Sequence, residues 1–91
     1  MDDEQSMRGR RWILGLTLMA AERSQELFAV CAATQGDEKD LLRAVADAFE
    51  ITELDADVIL SMPVRRFSPA SIRRLRAEFD DVERHLALAG A

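Results

Sequence analysis

Few side chains in this 91-residue chain could carry chemistry, and they do not gather into a known constellation. Cys31 and His85 are its single cysteine and single histidine. Neither has the second His or Cys, or the well-placed trio of acids, that a metal site needs. Cys31 falls on an apolar helical face, where a free cysteine acts as a small hydrophobe, and alone it makes no intrachain disulfide. His85 reads as a solvated helix residue. The carboxylates of Asp55 and Asp57 are two positions apart, so on a helix they point about 200° from one another and cannot hold one ion. The chain has no tyrosine, no Gly-rich nucleotide loop and no catalytic triad. The expectation is a protein with no catalytic residue, no metal and no cofactor.

Its charge is more informative. A net charge of −5 opposes tight, nonspecific duplex binding, which depends on neutralising phosphates and releasing counterions. The charge is unevenly placed, however. Asp37 to Asp57 carries Asp37, Glu38, Asp40, Asp47, Glu50, Glu53, Asp55 and Asp57 against only Lys39 and Arg43. Pro63 to Arg76 carries Arg65, Arg66, Arg73, Arg74 and Arg76 with no acid between them. Two readings follow. The blocks complement one another within the fold or across a dimer, or the arginines form a local patch for phosphates or an acidic partner.

Length allows one small domain, whose modest core favours oligomerisation or very regular helix packing. Hydrophobic residues make up 48% of the chain and aromatics only 5%, with few Pro and Gly, which is a helical composition. Arg8, Arg10 and Arg11 precede an apolar run from Trp12 to Ala21, but Asp2, Asp3 and Glu4 offset their charge. Without a small-residue cleavage site the run does not read as a signal peptide. Ten residues are also too few to span a bilayer. The expected location is cytoplasmic, with no membrane partner.

Residues 1–7 are polar and read as a disordered tail ahead of a single helical domain over 8–91. A long helix is expected from Arg8 to Thr34, roughly 40 Å in length. On it Ile13, Thr17, Ala20, Ser24, Leu27, Cys31 and Thr34 follow coiled-coil spacing. Leu14, Leu18, Ala21, Phe28 and Ala32 form a second stripe, and one helix with two apolar stripes needs more than one partner surface. Gly36 is the expected stop. Asp37 caps a helix over about Glu38 to Phe49, which buries Leu41, Leu42, Val45 and Phe49. Thr52 caps a short helix, with Asp55 completing a weak capping box, and Pro63 ends it. Ser68-Pro69 is an N-cap followed by proline at the first helical position. Ile72, Leu75, Phe79, Val82, Leu86 and Ala89 then give the most regular stripe in the chain. Arg74–Glu78, Arg76–Asp80 and Asp80–Arg84 are expected i,i+4 pairs. The architecture predicted is all-α, a long antiparallel helical hairpin with two short helices forming a knob at one end.

The segment from Thr52 to Ser68, TELDADVILSMPVRRFS, resembles part of the DNA gyrase A and topoisomerase IV family. That family reads Ser-Glu-x-Gln-Ala-x-Ala-Ile-Leu-x-Met-x-Leu-Arg-Arg-Leu-Thr at its exit gate. Glu53, Ala56, Ile59, Leu60, Met62, Arg65 and Arg66 keep the pattern. The similarity continues through Arg74, Leu75, Ala77, Glu78 and Phe79. Upstream, Arg10 to Leu16 (RRWILGL) is similar to the family's Arg-Ala-His-Ile-Leu-Glu-Gly-Leu. Pro63 departs from the basic residue usual there, and Asp55 and Asp57 stand where the family tends to carry glutamine. Covalent strand cleavage in that family needs a tyrosyl nucleophile, which this chain lacks.

The resemblance therefore implies a non-catalytic homodimerising interaction module like the exit gate, one that could modulate a type II topoisomerase. Its partners would be a second copy of itself and the host gyrase A protein. Leu54, Val58, Met62 and Val64 are the implied dimer-interface candidates, and whether they face a partner or the internal core is left open. Arg65 and Arg66 read as ties from the turn to nearby carbonyls or acids. The alternative, from a different class, is a small DNA-associated regulatory protein that uses the arginines of 65–76.

Overall fold

The computed structural model describes residues 3–90, and within them the chain is helical, with no strand. Five α-helices run in order: α1 Asp3–Glu22, α2 Ser24–Ala33, α3 Glu38–Phe49, α4 Glu53–Leu60 and α5 Pro69–Gly90. A 3₁₀ turn, Val64–Phe67, precedes α5. Of the expected disordered tail, residues 3–7 are helical instead. Asp3 and Glu4 sit in the first turn, where acids favour the positive helix end. Arg8 also reaches back to Glu4 at 2.6 Å. Met1 and Asp2 lie outside the described residues.

The expected helix from Arg8 to Thr34 is interrupted at Arg23, whose φ and ψ of −115° and 37° leave the helical region. No proline or glycine sits there. The break coincides with the Arg23 guanidinium lying over the Phe49 ring, 4.2 Å from its centroid. The same group makes a two-pronged contact with Glu26 at 2.7 and 2.8 Å. That hydrogen bond holds the Glu26 carboxyl below its ordinary pKa. The contact is thus present above the usual carboxylate range and is lost as pH falls through the lowered value.

Both apolar faces of α1 are covered within the chain. Leu14 and Leu18 meet Leu75 and Val82 of α5, with Met7, Ile72, Phe79 and Leu86 packed around them. Leu16 and Ala20 turn to a larger cluster with Leu27, Val45, Ala46, Phe49, Ala56 and Ile59. Ala20, Val45 and Ala56 are fully buried, so the small side chains at 20 and 56 set how closely α1 and α4 approach. The second stripe therefore finds a partner for Leu14 and Leu18 in α5, while Ala20, Leu27 and Cys31 of the first stripe pack toward α3 and α4, all within one chain. Of the second stripe Phe28 and Ala32 stay exposed, Phe28 edge-on to Phe67 at 5.1 Å.

Exposed ion pairs mark the direction of α1 against α5. Arg10 bonds Glu78 at 3.1 Å, Arg11 bonds Glu83, and Glu22 bonds Arg76. Arg11–Glu83 and Glu22–Arg76 link the two helices in reversed order, while Arg10–Glu78 departs from it. Being exposed to water and salt, such pairs add little to stability and serve more to fix how the helices lie. The intrahelical pairs expected on α5 do not close to within 4 Å, because Glu78 and Arg76 are engaged across the interface with α1 and Arg84 contacts Asp81, though Asp80 still acts on Arg76 at longer range. Of the two short helices α4 lies against α1, where Trp12 Nε1 donates to Asp55 at 3.1 Å, and α3 packs on α4 and α2.

Local signals explain the helix ends. Asp37 and Asp40 form a full capping box at α3. Thr52 accepts from the Asp55 amide at 3.0 Å, but the Asp55 carboxylate is taken by Trp12, so that box is half-made. Ser68 caps α5 through the Ser71 amide at 3.2 Å. Gly36 does not adopt the left-handed geometry expected of a helix stop. It is needed for space, since a Cβ there would stand 1.9 Å from Asp40 Oδ2 in the capping box.

The left-handed position belongs to Glu50, at φ 56° and ψ 49°. Ile51 N–H bonds Ala46 O at 2.9 Å and Glu50 N–H bonds Asp47 O at 3.4 Å, a Schellman ending built on the wrong residue type. Glu50→Gly should relieve this strain and stabilise the fold by about 0.5–1 kcal/mol net of its added unfolded-chain freedom. The thermal midpoint followed by circular dichroism should rise by several degrees, and an unchanged or lower midpoint would contradict the assignment.

Candidate functional site

The four interface candidates divide into two kinds. Leu54 and Val58 are one turn apart on α4, and Met62 follows in the turn after it. Val58 and Met62 are half-buried and pack on the larger core cluster. They line a cleft of ≈ 330 Å³ with Ile13, Thr17, Pro63 and Arg66. Leu54 is 68% exposed and Val64 80% exposed. Leu54 and Val64 therefore face outward, while Val58 and Met62 belong to the chain's own packing. Single exposed aliphatic residues need no explanation of their own; Leu54 on α4 and Val64 in the 3₁₀ turn are the two of the four candidates that are open to solvent.

The arginines also separate. Arg8, Arg10, Arg11, Arg23, Arg43, Arg76 and Arg84 each meet a carboxylate within 4 Å. Arg76 is tied to Glu22, whose hydrogen bond holds the guanidinium charged beyond its ordinary range, so its role is to dock α5 on α1. Among the described residues Arg65, Arg66, Arg73 and Arg74 make no ion pair or side-chain hydrogen bond. The expected ties from Arg65 and Arg66 to carbonyls or acids are not made. The four unpaired guanidiniums are the four that surround the start of α5.

The acidic block is spread along α3 and α4. Arg43 approaches Glu53 at 3.9 Å, and Asp37, Glu38 and Asp57 border a cleft of ≈ 460 Å³ that Cys31 also lines. Cys31 is half-buried against the larger core cluster. Asp55 is half-buried under Trp12, and Asp57 is exposed. His85 is exposed, and its Nδ1 lies 2.9 Å from Asp81 O, a bond it makes as donor. Among the described residues no group of three His, Cys, Asp or Glu side chains is placed to hold a metal.

Sequence patterns do not single out Trp12 or Ser71. Trp12 pairs with Asp55 across 43 positions, which no local pattern announces. Ser71 is 8% exposed at the third helical position after Ser68, where the spacing suggests only a capped helix start. No helix among the described residues is long and apolar enough to cross a membrane. Compared with known protein families and with curated proteins, the chain matches no family model and no curated sequence.

Proposed function

We propose that the chain is a non-catalytic, self-associating helical module resembling the gyrase A exit gate, with the α1–α5 hairpin as its arm and the α4 surface as its contact. The observation that carries this reading is the outward placement of Leu54 and Val64, at 68% and 80% exposure, within the segment of greatest resemblance. A domain of this size also gains stability from pairing, because a small fold buries a limited share of its surface. A two-fold contact would place the same patch of both copies together. The partner in this reading is a second copy, ahead of the host gyrase A protein.

Sedimentation at micromolar concentrations tests the idea directly. A species of twice 10.2 kDa is expected, and a folded 10.2 kDa monomer throughout would remove the proposal. The purified protein should neither relax nor cleave supercoiled DNA with magnesium and ATP, since it lacks a tyrosyl nucleophile. Cleavage that survived stringent fractionation would overturn the non-enzyme reading.

A second reading is favoured by the four unpaired arginines. In it the chain is a small DNA-associated regulator, held by local phosphate contacts in spite of its net −5 charge. Such binding would weaken steeply with salt, whereas a self-associating apolar contact would not.

A further inference from the structure

A cavity of ≈ 180 Å³ opens at the first turn of α5, lined by Arg65, Arg66, Ser68, Ala70, Ser71 and Arg74. Three of the residues that line it are arginines whose guanidiniums have no partner among the described residues. α5 is 22 residues long, so its N-terminus carries the full partial positive charge of a helix end. Pro69 has no N–H, and the Ser71 N–H is spent on Ser68 Oγ. The Ala70 N–H remains unspent among the described residues.

Ser71 supplies a separate observation. Two polar residues are buried among those described, Thr17 and Ser71, each 8% exposed. Thr17 satisfies its hydroxyl on Ile13 O at 2.7 Å. The Ser71 hydroxyl has no such bond to the preceding turn and no other partner among the described residues; it is not sealed from solvent, and Ser71 lines the cavity. A hydroxyl on a largely buried residue that only water satisfies is held ready to donate to an acceptor that enters the space it borders.

We propose that this cavity is a binding site for a phosphate group. Arg65, Arg66 and Arg74 neutralise its charge, and the Ser71 hydroxyl and Ala70 N–H donate to its oxygens. Three guanidiniums and a helix N-terminus around one small space suit a multiply charged oxyanion better than a single carboxylate. The volume falls below the roughly 300 Å³ at which pockets for whole small molecules begin. It admits the phosphate and leaves the remainder of its carrier outside. The site is contained in one chain and does not depend on self-association. Its natural source is either a free small phosphate or a terminal phosphate on a polynucleotide.

The test is a ¹H–¹⁵N NMR titration of the full chain with inorganic phosphate, ionic strength being held constant with sodium chloride. Saturable shifts are expected at the Ala70 and Ser71 amides and the Arg66 side chain. Ser71→Ala, which keeps the backbone bond to Ser68, and Arg66→Gln should each weaken binding about tenfold. Arg84→Gln, at the far end of α5, should leave it unchanged. Parallel titrations with a short oligonucleotide, with and without a 5′-phosphate, separate the sources. Shifts of the same amides by the phosphorylated strand alone would point to a terminal phosphate, and by the free ion alone to a small anion. Either supports the site. No saturable response to either phosphate source, or one unaffected by Ser71→Ala and Arg66→Gln, overturns it.

Discussion

Ile59→Ala is expected to cost about 2–5 kcal/mol of folding stability, the range for truncating a fully buried large aliphatic side chain. Ile59 is 1% exposed and sits where α4 meets the cluster of Leu16, Ala20, Leu27, Val45 and Phe49. Several helices converge there, so the cavity left behind cannot be closed by a shift of one of them. A domain this small has roughly 5–14 kcal/mol in all at typical stability per residue. The thermal midpoint should accordingly fall by well over 10 °C, at several degrees per kcal/mol. Leu54→Ala, on the same helix but turned to solvent, supplies the contrast. At 68% exposure its effect on a single folded chain should stay within about 0.5 kcal/mol. Equal losses for the two variants, followed by denaturation with urea, would mean that α4 does not face the core as described.

On the proposed pairing, the double substitution Leu54→Asp with Val64→Asp should abolish self-association while preserving the helical fold. Both side chains are exposed in the single chain, so the charges face water when the protein is alone. At a two-fold contact the same charges would meet their own copies, unpaired and desolvated. Removing central apolar anchors costs about 2 kcal/mol or more each, so the dissociation constant should rise by roughly a hundredfold or more. Sedimentation would then find 10.2 kDa for the double variant against the doubled mass proposed for the parent chain, with an unchanged helical spectrum. A double variant that still dimerises would place the contact elsewhere, for example at the exposed Phe28 or Leu88. Met62→Asp is a different experiment, because Met62 packs on the core and its loss should weaken the fold itself.

The sequence by itself determined the elements and most of their ends. Three-and-four spacing placed Leu75, Phe79 and Val82 on one face of α5, and short-range chemistry identified Asp37, Thr52 and Ser68 as caps. These features depend on residues within four positions of one another, which is the range a pattern can read. Tertiary structure decided what those faces meet. The two stripes of the first helix called for more than one partner surface, and the same chain supplies both, α5 for Leu14 and Leu18 and α3 with α4 for Ala20 and Leu27. The arrangement depends on the break at Arg23, which arises where its guanidinium lies on Phe49, a partner 26 positions away. Charge followed the same division. The arginine block was visible as composition, but the loss of Arg76 to Glu22 and the isolation of Arg65, Arg66, Arg73 and Arg74 follow from how α5 lies on α1. A guanidinium pairs with whichever carboxylate the packing brings near, and distance in space, unlike spacing along a helix, is set only once the core has closed.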